Sequence, residues 1–163
     1  MSRRATAGIT GLAIAVWILV SEVDLSPHQR ISDLPVYEEV ARRVTGGDVP
    51  FRDFDVEYPP LAVGLLTLPR LLPMQFSSSF SLLMAVAVCA TALGAVATAR
   101  ALGMSTRRQL AAGGVVALLP VLLGDFVQTR FDLAVAALLA WMLWAVAGLR
   151  WRTAWALLAA AVA

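Results

Sequence analysis

Acidic side chains are confined to one part of this chain, and that separation constrains its fold more than any other feature. Nine of the eleven acidic residues lie between Glu22 and Glu57, and the other two are Asp125 and Asp132. Most of the remaining sequence consists of apolar runs, and the chain is 60% hydrophobic. This pattern is typical of a polytopic membrane protein with a polar compartment on one side of the bilayer.

The apolar runs have lengths that approach those of lipid-spanning helices. Such a helix needs about 20 mostly apolar residues. We predict spans at about 5–20, 80–99, 110–124 and 131–149, and a fifth that begins near 153 and is incomplete at 163. The N-terminal run is interpreted as an uncleaved helix, because no small-x-small cleavage site follows Val20. The fold class is therefore an all-α, polytopic transmembrane helix bundle.

The arginines orient this bundle. If residues 59–73 do not span, one set of short connections contains seven arginines and no acid: Arg3, Arg4, Arg100, Arg107, Arg108, Arg150 and Arg152. Arginine-rich short loops face the cytoplasm. We therefore predict a multi-pass plasma-membrane protein with a cytoplasmic N-terminus and a long outer loop over residues 22–79.

The outer loop shows signs of internal structure. Asp33 can cap a helix that begins at Leu34 and ends at Gly46-Gly47. The spacing of Glu38 with Arg42, and of Glu39 with Arg43, predicts i,i+4 ion pairs on that helix. A second surface helix is expected after Tyr58-Pro59-Pro60.

Composition excludes several classes of site. Cys89 is the only cysteine and His28 the only histidine, so neither a disulfide within the chain nor a His/Cys metal centre is expected. The net charge of +2 gives no indication of nucleic-acid binding. We expect no metal, no cofactor and no nucleic-acid partner.

Several motifs occur in a fixed order along the chain. Asp33-Leu-Pro-Val-Tyr37, Gly47-Asp-Val-Pro-Phe-Arg-Asp53 and Glu57-Tyr-Pro-Pro60 lie in the outer loop, and Gln128-Thr-Arg-Phe-Asp132 opens a later helix. In this order and topology the chain resembles the C-type membrane glycosyltransferases (the GT-C fold). It is most similar to family 87, the polyprenyl-phosphate-mannose-dependent mannosyltransferases. Members of that family are usually more than twice as long, so residues 1–163 are expected to be the truncated N-terminal part of one membrane domain.

The resemblance implies an inverting transfer of a sugar, mannose in that family, at the outer membrane face. The donor would be a polyprenyl-phosphate sugar and the acceptor a hydroxyl of a glycolipid or glycan, with the lipid bilayer as the third partner. Asp33 maps onto the catalytic base, which takes the proton of the attacking hydroxyl. Cations would hold the phosphate, and the candidates for this role are His28, Arg30, Arg52 and Arg130. The predicted substrate-binding residues are Arg52, Asp53, Asp55, Glu57, Tyr58, Arg130 and Asp132.

Simpler interpretations stand beside these roles. Asp33 can act only as a helix cap. Arg130 can extend its charge to the membrane edge, while Asp132 caps the next helix. Tyr58 can be an aromatic anchor at the membrane interface. The three other loop acids can be solvated. The alternative function is a non-catalytic polytopic membrane protein, such as a transporter fragment or an assembly partner. Nearly charge-free helix interiors disfavour transport.

Overall fold

The computed structural model describes residues 3–22, 32–124 and 126–163, and in these residues the regular secondary structure is helical, with no strands. The all-α prediction is confirmed. The helices are α1 (Arg3–Glu22), α2 (Leu34–Thr45), α3 (Pro60–Thr67), α4 (Phe76–Ala101), α5 (Thr106–Leu123), α6 (Phe126–Thr129), α7 (Asp132–Ala147) and α8 (Trp151–Val162), with a 3-10 turn over Leu68–Leu71. Each predicted span overlaps one of these helices, and the short helix α6 was not predicted.

Two of the helices in the described part of the chain are long and apolar enough to cross a bilayer, namely Ala5–Glu22 and Phe76–Ala101. Helix α7 has 16 residues, which at about 1.5 Å per residue falls short of the roughly 30 Å of a hydrocarbon core. Two such helices give only weak support to membrane insertion, because signal sequences and core helices of soluble proteins meet the same criterion.

Helix α4 forms the centre of the bundle. It packs against α1, α5 and α7, and α8 packs on the far side of α7. Phe80 and Met84 of α4 are fully buried, as are Ala13 of α1 and Ala117 of α5. The same core cluster includes Trp17 of α1, whose indole Nε1 donates to Ser81 Oγ at 3.2 Å. The core thus joins the first helix to the later ones.

The contact between α4 and α7 depends on a glycine. A Cβ added at Gly94 would lie 2.8 Å from Ala140 Cβ and 3.2 Å from the Ala140 carbonyl carbon. Thr98 Oγ1, one turn further along α4, lies 3.4 Å from the Ala140 carbonyl oxygen. Trp141 Nε1 donates to the Ala90 carbonyl at 3.1 Å. Small residues here let the two backbones approach closely, as in membrane helix pairs.

Gly94→Ala should therefore force α4 and α7 apart and destabilise the protein by about 1–3 kcal/mol, as expected for overpacking. The matched control is Gly114→Ala in α5, where an added Cβ meets nothing within 4 Å and where alanine should stabilise the helix by about 0.5–1 kcal/mol. Thermal unfolding in detergent, followed by circular dichroism, measures both. Equal stability of the two variants would contradict the close α4–α7 contact.

The predicted i,i+4 ion pairs on α2 are wrong. Arg42 pairs with Glu39 at 2.6 Å, one position closer than predicted. Arg43 instead pairs with Asp48 at 2.9 Å and lies over the Phe54 ring at 4.3 Å, and Glu38 faces Arg70 at 3.6 Å. Glu38 reaches Arg70 because α2 packs against the 3-10 turn, and Arg43 reaches Asp48 because the chain turns back at the end of α2. Tertiary contacts therefore fix the position of α2.

Candidate functional site

A sharp turn between α5 and α7 positions Arg130. Gly124 ends α5 with φ +57° and ψ −141°, a conformation that is essentially restricted to glycine. Helix α6 follows, and its Gln128 Nε2 donates to Ser21 Oγ of α1 at 3.1 Å. The chain then reaches Arg130, two residues before the start of α7. This end of α7 lies beside the start of α2.

Arg130 and Asp33 form an ion pair between the bundle and the outer loop. The distance from Arg130 Nη1 to Asp33 Oδ2 is 2.7 Å, and the side chains are 28% and 26% exposed. Asp33 occupies the N-cap position of α2, but its side chain makes no capping hydrogen bond. The carboxylate points to Arg130 instead, so the capping interpretation of Asp33 is wrong for its side chain.

Tyr37 connects Asp33 to the backbone next to Arg130. Its hydroxyl donates to Asp33 Oδ2 at 3.4 Å and accepts from the Phe131 backbone N–H at 3.3 Å. Asp33 and Tyr37 are four residues apart, so they lie on the same face of α2. The described residues thus form a chain of contacts from the start of α7 through Tyr37 to the Asp33 carboxylate. We refer to Asp33, Tyr37, Tyr58 and Arg130 as the ion-pair cluster.

Aromatic rings pack around the ion-pair cluster. The Tyr37 ring stacks on Phe80 of α4 with a centroid distance of 5.2 Å. Tyr58 meets Tyr37 edge-on at 5.5 Å. Arg130 itself lies over the Phe126 ring at 4.8 Å. Tyr58 is half-buried, so it packs within the protein rather than standing at the surface as an isolated interfacial anchor.

Arg130 keeps one unpaired donor in this setting. Its Nε is buried and has no hydrogen-bond partner in the described structure. A buried donor without an acceptor is costly and uncommon. An anion could use this donor only after the side chains that bury it move apart.

The tyrosine hydroxyls of the cluster are held in the protonated form. Burial raises the pKa of Tyr37 strongly, the hydrogen bond from Phe131 opposes this rise, and the nearby Tyr58 and Asp33 add to it. Burial also raises the pKa of Tyr58, and the Asp33 carboxylate adds to that rise. Protonated tyrosines remain hydrogen-bond donors, which suits a carboxylate neighbour.

Both tyrosines of the chain belong to this cluster, so alkaline titration reports on it directly. We expect little tyrosinate absorbance near 295 nm at about pH 10, where an unperturbed tyrosine is half-ionised. Because the folded pKa values are raised, the stabilisation is complete below the unfolded value of about 10 and is lost as pH rises further. Half-ionisation of both tyrosines at their ordinary pKa in the folded protein would contradict the buried arrangement.

Two of the predicted substrate-binding residues belong to a separate turn. Arg52 pairs with Asp53 at 2.8 Å, and Asp53 Oδ2 also accepts from the Val49 N–H at 2.8 Å. The Arg52 guanidinium lowers the pKa of the Asp53 carboxyl. The contacts that the structure shows for these two side chains are thus local, and they hold the turn after α2.

The other predicted residues are exposed. Asp55 lies beside Pro35 and Arg43 along a groove on α2, and Glu57 directly precedes Tyr58. Asp132 is in the first turn of α7, but Phe131 occupies the N-cap position without a side-chain cap. The alternative that Asp132 caps α7 is therefore wrong. These carboxylates remain accessible to a ligand near the cluster.

Two further candidates, His28 and Arg30, lie outside the described residues. Within the described ranges, no group of three or more His, Cys, Asp or Glu side chains could hold a metal ion. Tyr37 had no predicted role, and Asp33 and Arg130 were not predicted to pair. The only available signal was the i,i+4 spacing of Asp33 and Tyr37.

A small apolar cavity adjoins the cluster. It has a volume of about 100 Å³ and lies between Tyr58, Phe131 and the ends of α3, α7 and α8. The start of α3 meets the end of α8 through a hydrogen bond from the Leu61 N–H to the Ala163 carbonyl at 3.0 Å. A charged pair beside an apolar cavity combines the two environments that an amphiphilic phosphate ester requires.

Comparison with known proteins adds no assignment to this geometry. The chain matches no protein-family model, no curated protein and no solved structure.

Proposed function

We propose that this protein is a multi-pass membrane glycosyltransferase that moves a sugar from a polyprenyl-phosphate donor to an acceptor hydroxyl. The single observation that carries this proposal is the Asp33–Arg130 ion pair at 2.7 Å beside Tyr37 and Tyr58. It places a carboxylate and a guanidinium, which were assigned separately to the base and the phosphate site, next to each other. The proposal includes mannose as the transferred sugar, because the chain resembles a family of mannosyltransferases.

The surface of the bundle supports a membrane location. Only 28% of the apolar stretch in α1 and 39% of that in α4 is buried. Outward-facing side chains include Ile18 at 56%, Val86 at 59% and Leu122 at 82% exposure. A core helix in a soluble protein would bury most of its apolar side chains, whereas lipid accepts them.

In the proposed reaction, an acceptor hydroxyl attacks the anomeric carbon of the donor sugar. The Asp33 carboxylate takes the hydroxyl proton as the new carbon–oxygen bond forms. The bond from the anomeric carbon to the phosphate oxygen breaks, and polyprenyl phosphate leaves with the electron pair. Direct displacement inverts the anomeric configuration.

Arg130 has two roles in this proposal. Without substrate it balances the Asp33 charge, and with substrate it holds the donor phosphate and stabilises the leaving group. A phosphate that competes for Arg130 weakens the Asp33–Arg130 pair and leaves the carboxylate available for the acceptor proton. The exposed acids Asp55, Glu57 and Asp132 are proposed to bind sugar or acceptor hydroxyls, with Arg52 and Asp53 shaping the loop around them.

Asp33→Asn should abolish transfer, with a loss of about 10²–10⁴-fold if the carboxylate is the base. The matched control is Glu39→Gln, which removes an exposed carboxylate of α2 that has no proposed role in substrate binding and should keep the wild-type transfer rate. The assay supplies the full-length protein with radiolabelled polyprenyl-phosphate-mannose and glycolipid or glycan acceptors. Transfer by Asp33→Asn at the wild-type rate would overturn the assignment of the base.

A charge exchange separates catalysis from stability. The double variant Asp33→Arg/Arg130→Asp can re-form an ion pair and should recover much of the thermal stability that either single change loses. Its transfer activity should stay absent because the carboxylate then lies at position 130, in the proposed phosphate site, and a guanidinium lies at the position of the base. Recovery of both stability and transfer would show that the pair serves only to hold the fold, as in an assembly partner.

A further inference from the structure

A second cavity lies at the opposite end of the bundle from the ion-pair cluster. Its volume is about 590 Å³, and it opens between α1, α4 and α7. Leu93, Val96 and Ala97 of α4 provide apolar lining. Trp141 and Trp144 of α7 form a wall, with their rings packed edge-on at 5.4 Å. The cavity therefore combines an apolar surface, bounded by indole rings, with a polar part of its lining.

Two arginines stand at the mouth of this cavity. Arg100 is in the last turn of α4, and Arg150 directly precedes α8. The Arg150 guanidinium lies over the Trp144 ring at 4.3 Å, which fixes its position beside the cavity. Both residues are exposed. Among the described residues, neither arginine has an acidic partner within ion-pair distance.

The surrounding sequence leaves this positive charge unbalanced. No acidic residue occurs between Glu57 and Asp125 or after Asp132. Arg107, Arg108 and Arg152 add further positive charge in the segments next to the two arginines. An anion at the cavity mouth would thus meet Arg100 and Arg150, and no neighbouring carboxylate from these segments.

We propose that this cavity binds an anionic phospholipid. The phosphate lies between Arg100 and Arg150, whose planar guanidinium groups suit phosphate oxygens. One acyl chain follows the apolar surface of Leu93, Val96 and Ala97. Basic pockets between membrane helices bind acidic headgroups in this way. The inference rests on the membrane location in the proposed function, but not on sugar transfer.

The character of the cavity favours a lipid over a free phosphate ion. A free ion would use only the arginines and leave the apolar lining in contact with water, which is unfavourable. Trp151 and Trp155 of α8 are 55% and 67% exposed close to Arg150 in the chain. Exposed indoles beside arginines are typical of the membrane–water interface, where lipid headgroups lie.

Native mass spectrometry of the full-length, detergent-solubilised protein tests this proposal. Phosphatidylglycerol, phosphatidylcholine and inorganic phosphate are added in separate titrations. We expect one phosphatidylglycerol to remain bound, with an affinity that falls about tenfold or more in the variant Arg100→Gln/Arg150→Gln. The matched control, Arg107→Gln/Arg108→Gln, removes the same charge from exposed positions that do not line the cavity and should keep the bound lipid.

A second variant tests the apolar part of the site independently. Ala97→Phe fills the cavity, leaves both arginines in place and should also displace the lipid. Circular dichroism shows that each variant is folded before binding is compared. Equal loss of lipid from both arginine variants, or retention of lipid by both Arg100→Gln/Arg150→Gln and Ala97→Phe, would overturn the site.

The remaining titrations exclude other occupants. Displacement of the lipid by millimolar inorganic phosphate would indicate an ion site, and equal binding of phosphatidylcholine would indicate a non-specific apolar groove. A dimer that depends on Arg100 and Arg150 would indicate a second copy of the chain. Each of these results contradicts the proposal. Sugar-transfer activity is not part of the readout, so failure of the transferase proposal leaves this test intact.

Discussion

The ion pair between Asp33 and Arg130 joins two parts of the molecule that the sequence keeps far apart. One partner begins the helix of the polar loop, and the other precedes α7. The pair is only partly exposed, so loss of either partner would leave a poorly solvated charge, which is more costly than the loss of a surface salt bridge. Tyr37 reinforces the junction through Asp33 and the Phe131 N–H. This junction adds to the packing of α2 against α3 and the 3-10 turn in placing the polar loop on the bundle.

The two ends of the bundle have different electrostatic character. At one end, opposite charges pair within the protein, next to aromatic side chains from α2 and α4. At the other end, arginines face an apolar cavity without neighbouring acids. A protein in a uniform aqueous environment has no need for such a division, because water solvates charge on every side. The division is suited to a chain whose two ends meet different surroundings.

Local features of the sequence predicted most of the helices. Asp33 and Pro35 marked the start of α2, Gly46 marked its end, and Pro59-Pro60 marked the start of α3. Apolar runs indicated α1, α4, α5, α7 and α8, although α4 begins four residues earlier than predicted. Helix α6 escaped detection because it has four residues and follows from the conformation of Gly124. Such a turn has no periodic signal.

The side-chain partners were less predictable than the helices. Asp33, Tyr58 and Arg130 were identified individually, but their proximity depends on how α2 packs against the bundle. Arg43 prefers Asp48 and the Phe54 ring over its predicted helical partner. Spacing rules describe an isolated helix, whereas these contacts arise between segments that meet only in the folded chain. Sequence patterns therefore supplied the candidates, and tertiary packing selected among them.

The close contact between α4 and α7 at Gly94 and Ala140 has a mechanical consequence. Backbone-to-backbone proximity, together with the Trp141–Ala90 hydrogen bond, leaves α7 little room to slide along α4. Arg130, two residues before α7, is thus anchored to the most extensively packed pair of helices among those described. Asp33 is attached to them mainly through side chains, which can exchange partners at lower cost. Entry of a bulky molecule between the two residues would accordingly displace α2, the helix of the outer loop, while α7 stays in place.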